Sequence, residues 1–368
     1  MKEYLLLTAG PTPISDKVKT ILNQSMTYHR CDEFIQVYQH LTDGLKYLFQ
    51  TKNDVLILTA SGTGGMEAAI TNLFSPGDSI LVIENGKFSE RWSLIANKFN
   101  LDVETLKIPW GKSVTVDQIT QKLQNLTSLK GIFLTHCETS TGALTNLEII
   151  VPEIRKYCSA LIVVDAISSA AVIPLKVDEW GIDVAITASQ KGLGLPPGLA
   201  MVSLSSKAWR YAEQAKMPRL YFDFIRARQS FNAGQGSAFT PAIPLILAAD
   251  FVLQEIRRKG LGNIWKQRQQ IAGNFRNKIC SLGLKIFPDA PANSLTVFKI
   301  DRLDCCEQIL SVLKDQFNIL VSRGQGKLAN KVIRIGHLIN IDEADLDRFL
   351  EAFQAVIKIL KLQNRCGN

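Results

Sequence analysis

The chain has 368 residues, 46% of them hydrophobic and 21% charged, with 42 lysines and arginines against 34 acids for a formal net charge of +8. That length buries at least one large core and suggests about two or three domains. The cations are dispersed, with no basic stripe or interleaved aromatics, which argues against nucleic-acid binding.

From the start of the chain, Leu5-Leu6-Leu7 is too short an apolar run for a signal segment or a membrane span. Gly10-Pro11-Thr12-Pro13 reads as part of an extended arm over residues 1–15. Short apolar runs follow at Val55–Leu58, Ile80–Ile83, Gly131–Leu134, Leu161–Val164, Val184–Ile186 and Leu199–Val202, each about one strand long and rich in branched residues. Segments of helical period lie between them, around 64–74, 88–99, 115–124 and 148–158. This alternation predicts an α/β fold, a mostly parallel doubly wound sheet covered by helices, over residues 16–258. Long helices are expected at 241–258 and 263–281, broken at Lys259-Gly260-Leu261-Gly262. Strands near 294–300 and 332–336 and helices near 303–315 and 342–361 then predict a smaller α+β domain over 259–368.

The seven cysteines, Cys31, Cys137, Cys158, Cys280, Cys305, Cys306 and Cys366, are odd in number and lack CxxC spacing. No disulfide framework, zinc site or iron–sulfur cluster is expected, and reduced thiols favour the cytoplasm. The last residues, Arg365-Cys366-Gly367-Asn368, match no peroxisomal or retention signal.

The chemistry gathers at strand ends. Lys191 follows an apolar run ending near Ala188, and Asp165 closes the run before it. An amine able to form a Schiff base and a carboxylate able to hold a pyridinium nitrogen are what pyridoxal phosphate requires. Ser61-Gly62-Thr63-Gly64 follows a predicted strand and opens a predicted helix, so its N–H groups and helix dipole suit an anion; a tight turn also explains the glycines. The loop has neither the Gly-Lys-Ser/Thr ending of a nucleotide P-loop nor the dinucleotide GxGxxG pattern. Phe88, in Asn85-Gly86-Lys87-Phe88, could stack on a flat ring or fill the core. Thr139 lies among hydroxyls that could meet a phenolic oxygen or cap a loop, and His136 beside them reads as structural.

These segments, with His29-Arg30, Glu138-Thr139-Ser140-Thr141-Gly142, Asp165-Ala166-Ile167-Ser168-Ser169, Ser189-Gln190-Lys191-Gly192, Pro196-Pro197-Gly198 and Arg334-Ile335-Gly336-His337, resemble the class V, fold-type I pyridoxal-phosphate aminotransferases. The resemblance runs nearly the full length and is to the alanine–glyoxylate and serine–pyruvate branch. It implies that Lys191 forms the internal aldimine and shuttles the substrate Cα proton, while Asp165 pairs with the pyridine N–H. It further implies that Ser61, Gly62, Thr63 and Gln190 hold the phosphate, that Phe88 stacks on the ring, that Thr139 meets the phenolic oxygen and that Ile167 belongs to the coenzyme site. Arg334 would clamp the substrate carboxylate, with Gly10 beside the substrate. Thr240 would reach the phosphate across a homodimer interface. No metal is expected.

The reading is therefore ping-pong transamination between alanine or serine and glyoxylate or pyruvate, with aspartate, phosphoserine or ureidoglycine as other possible donors. A cysteine desulfurase would need a cysteine near Ser322–Lys327, where none stands. Relatives labelled as a soluble hydrogenase small subunit suggest at most an association, since hydrogen chemistry needs clustered thiolates.

Overall fold

The computed structural model describes residues 2–300 and 305–360. Its strands in chain order are β1 (Leu5–Leu7), β2 (Asp54–Ala60), β3 (Ser79–Glu84), β4 (Asp102–Lys107), β5 (Gly131–Thr135), β6 (Cys137–Glu138), β7 (Ala143–Leu144), β8 (Leu161–Asp165), β9 (Val184–Ala188), β10 (Gly198–Leu204), β11 (Leu295–Lys299), β12 (Ile319–Arg323) and β13 (Val332–Gly336). Seven form the main sheet, ordered β2-β10-β9-β8-β5-β3-β4. Only β10 runs against its neighbours β2 and β9; the β9-β8-β5-β3-β4 pairings are parallel.

The six apolar runs become strands because both sheet faces are buried. In β8, Leu161 and Val163 pack with Phe133, Trp92 and Met66 on one face. Ile162 and Val164 pack with Ile154, Leu195 and Met201 on the other. Alternating side chains thus enter two cores, so the strand reads as a continuous apolar run.

A second sheet, ordered β1-β12-β13-β11, carries helices Leu261–Ser281, Cys305–Phe317 and Glu343–Ile359 around its own core, which includes Leu7, Phe275, Phe298, Phe349 and Phe353. β1 pairs parallel to β12, so the segment expected as an arm supplies an edge strand of this sheet before running on toward the main one. Gly260, at φ +79°, separates helices Ile243–Lys259 and Leu261–Ser281, a conformation other residues adopt reluctantly.

Several elements were not anticipated from the sequence. β4 pairs with β3 alone and exposes Asp102 and Lys107, so it lacks the apolar continuity of an interior strand. β1 and β12 are short and half-buried. The helices Asp16–Leu22, Asp32–Phe49, Ser206–Gln214 and Phe224–Asn232 are likewise additional to the elements expected from the sequence. The first residues expected in the 303–315 helix and the last in the 342–361 helix, with Cys366, lie outside the described residues.

Candidate active site

Lys191 leaves the end of β9 through a loop locked by Ser189, whose hydroxyl donates to the Pro196 carbonyl at 2.7 Å and accepts from Leu199 N at 3.1 Å. Its amine donates to the Ala9 carbonyl at 2.6 Å. Burial, then the charge of Arg334, pushes the amine down to about 8. A neutral, nucleophilic fraction therefore exists near neutral pH.

Asp165 ends the neighbouring strand β8, is only 5% exposed, and accepts from Ile167 N at 2.8 Å. Burial raises its carboxyl to about 7, the Ile167 hydrogen bond and the nearby Arg91 and Lys191 opposing that shift. A cationic ring nitrogen beside it would restore the ionised form.

The third element is the helix Gly62–Leu73. Its N-cap Ser61 makes no side-chain capping bond, which leaves the hydroxyl and first-turn N–H groups without that partner. Gly62 has no room for a Cβ, because Ile167 Cδ1 and Ala188 Cβ pack against it. Gln190 Oε1 is buried without a hydrogen-bond partner.

Glu138 organises the opposite wall. Fully buried, its carboxylate accepts from Phe88 N, Ser89 N at 2.8 Å, Ser140 N at 3.0 Å and Ser140 Oγ at 2.6 Å. The loop carrying Phe88 is thereby fastened to the loop carrying Thr139. The Thr139 and Ser168 hydroxyls share a 2.5 Å hydrogen bond. Arg334, on β13, donates from Nη1 to the Thr139 carbonyl at 2.8 Å and from Nε to the Arg323 carbonyl at 3.0 Å. Burial lowers its guanidinium to about 10, still cationic at neutral pH.

A cleft of about 310 Å³ gathers Gly10, Ser61, Gly62, Thr63, Phe88, Thr139, Asp165, Ile167, Gln190 and Lys191. Arg334 lines an adjoining cleft that shares Gly10. Thr240 does not join them: it is exposed beside Phe239 and Tyr221 in a separate groove. His136 is buried edge-on to Trp180, with burial lowering its imidazole to about 3. Sequence reasoning gave no role to Glu138, Ser168 or Arg91, although Arg91 stands three positions after Phe88, one helical turn away.

An amine and a carboxylate stand at the carboxyl ends of adjacent strands, over a helix N-terminus in an open α/β sheet, which is where such sheets bind ligands. The chain belongs to the class-V aminotransferases, whose family model matches residues 15–349. Its fold is shared by the alanine–glyoxylate aminotransferase of Nostoc sp., at TM-score 0.92 and 29% identity over 97% of this chain and 96% of that one. It is 34% identical to the L-aspartate–glyoxylate aminotransferase of Paracoccus denitrificans, covering 91% of this chain and 86% of that protein. It is also 35% identical to a protein of Anabaena cylindrica named soluble hydrogenase 42 kDa subunit, over 98% and 95% of the two chains. Among the described residues, no three His, Cys, Asp or Glu side chains group as a metal site, and no helix is long and apolar enough to cross a membrane.

Proposed function

We propose that the chain catalyses pyridoxal-phosphate-dependent transamination between a small amino acid, alanine or serine, and a 2-oxo acid, glyoxylate or pyruvate. The observation that carries this reading is Lys191 and Asp165 in one cleft with the uncapped N-terminus of Gly62–Leu73. The Ser61 hydroxyl and the first-turn N–H groups, free of a side-chain cap, fit a bound phosphate, and the pairing of an amine with a carboxylate fits the rest of the coenzyme.

When bound, the coenzyme supplies an electron sink for the charge left at the substrate Cα. Asp165 would hold the ring N–H, and its ionised form would keep that proton in place. Ser61, Gly62, Thr63 and Gln190 would hold the phosphate, joined by Thr240 from the second subunit of a homodimer. Phe88 would stack on the ring, Ile167 would line the wall beside Asp165, and Thr139 would donate to the phenolic oxygen. Arg334 grips the substrate carboxylate with a planar fork, Gly10 leaves space for it, and this fixes the Cα–H bond toward Lys191. The Lys191 amine would take that proton at Nζ and deliver it to C4′ of the coenzyme, so that the amino group stays with the coenzyme once water releases the 2-oxo acid.

Similarity to two glyoxylate-named aminotransferases supports glyoxylate as acceptor. Aspartate as donor is a second reading, favoured by the Paracoccus relative. The segment Ser322–Lys327 holds no cysteine, and Cys305 and Cys306 are buried in a core, which weighs against a desulfurase. The dispersed thiols support a cytoplasmic location.

The test is a panel of amino donors followed spectrophotometrically. Alanine or serine should convert the bound coenzyme to its amine form, and glyoxylate or pyruvate should restore the starting spectrum, with ping-pong kinetics. A coenzyme-loaded protein that responds to no amino donor would sink the reading.

A further inference from the structure

Arg91 lies on the helix Ser89–Lys98, one turn beyond Phe88. Its guanidinium carbon stands 4.8 Å from the centroid of the Phe88 ring. From Nη1 it donates to Thr63 Oγ1 at 2.8 Å. One side chain therefore ties the aromatic wall of the cleft to the helix turn that forms the anion cradle. Among the described residues no carboxylate lies within ion-pair distance of it. The half-buried guanidinium has a ring and a hydroxyl as its neighbours, which leaves its charge available to an anion entering the cleft.

We propose that Arg91 is a coenzyme-positioning residue, holding Phe88 and Thr63 in register and adding a fixed positive charge beside the phosphate cradle. The inference rests on the reading of this cleft as a coenzyme site. Its geometry separates two duties: stacking, which needs the flat guanidinium, and charge, which any cation supplies. Its field also favours the ionised form of Asp165, the state that holds a ring N–H.

The test compares wild type with Arg91→Met, Arg91→Lys and Thr63→Val. Two readouts apply: the dissociation constant of pyridoxal phosphate from the holoenzyme, and the circular dichroism of the bound coenzyme, which reports how firmly its ring is held. Arg91→Met should weaken coenzyme binding by about tenfold or more and diminish the dichroic band. Arg91→Lys should recover affinity but not the band, since an ammonium lacks the planar stack. Thr63→Val should lose less affinity than Arg91→Met, because the cation remains. If Arg91→Met binds coenzyme within about twofold of wild type with an unchanged band, the proposal is overturned. The same holds if it merely lowers the melting temperature of apo and holo protein equally. Failure of the wild type itself to bind coenzyme would instead overturn the reading of the cleft.

Discussion

The Lys191 amine donates to the carbonyl of Ala9 at 2.6 Å, so the segment leaving the second sheet's edge strand rests on the lysine of the main sheet. Ala9 is held there by its own N–H, which donates to Ser322 Oγ at 3.0 Å, and Thr12 N bonds the Gln190 carbonyl at 3.2 Å. Between them, Gly10 has φ +115°, and a Cβ added to it would land on Lys191 Nζ. Gly10→Ala should therefore displace the amine and lower kcat by about a hundredfold, the scale of an ångström misplacement. Steady-state kinetics on folded variant, checked by circular dichroism, measures it; an unaltered kcat would mean the arm has no hold on the lysine.

Glu138 should be a stability determinant as well as a scaffold for Phe88. Glu138→Gln places an NH2 donor where backbone N–H groups of Phe88, Ser89 and Ser140 already donate. A loss of about 2–3 kcal/mol in unfolding free energy is expected, read from denaturant titration. The coenzyme spectrum should broaden as the Phe88 loop loosens.

Arg334→Lys keeps the charge but not the fork that reaches both the Arg323 and Thr139 carbonyls. The KM for amino donors should rise by about tenfold or more, with coenzyme affinity little altered. Equal KM values in the two proteins would remove Arg334 from the substrate clamp.

The coenzyme-free protein should show an uncommon pH profile. Asp165 is raised from 3.8 to about 7, so the folded state binds the extra proton and its contribution to stability is lost as pH climbs through that window. Lys191 is lowered from 10.5 to about 8, so its contribution is present above the unfolded value and lost as pH falls toward 8. Between about 7 and 8 both groups are at their least favourable. Melting temperatures across pH should rise on either side relative to the Asp165→Asn, Lys191→Ala double variant, whose profile in these windows should be flatter.

What the sequence made legible follows burial. The interior strands were readable because both faces of the main sheet are packed, as in Leu161 to Val164, and the edge strand β4 was not because Asp102 and Lys107 face solvent. Lys191 and Asp165 were readable as chemistry out of place at the ends of apolar runs. Glu138 and Arg91 were not: their roles depend on partners 50 and 28 positions away in sequence, Phe88 and Thr63, that only the fold brings into contact. Thr240 lines a separate groove with Phe239 and Tyr221, not the cleft that gathers Lys191 and Asp165.

We propose Lys191 as the residue that carries the coenzyme. Borohydride reduction of the coenzyme-loaded protein, followed by peptide mass spectrometry, should find the phosphopyridoxyl group on Lys191 alone, and Lys191→Ala should take up none. Reduction that marks another lysine, or a Lys191→Ala protein that still fixes coenzyme and transaminates, would contradict the account.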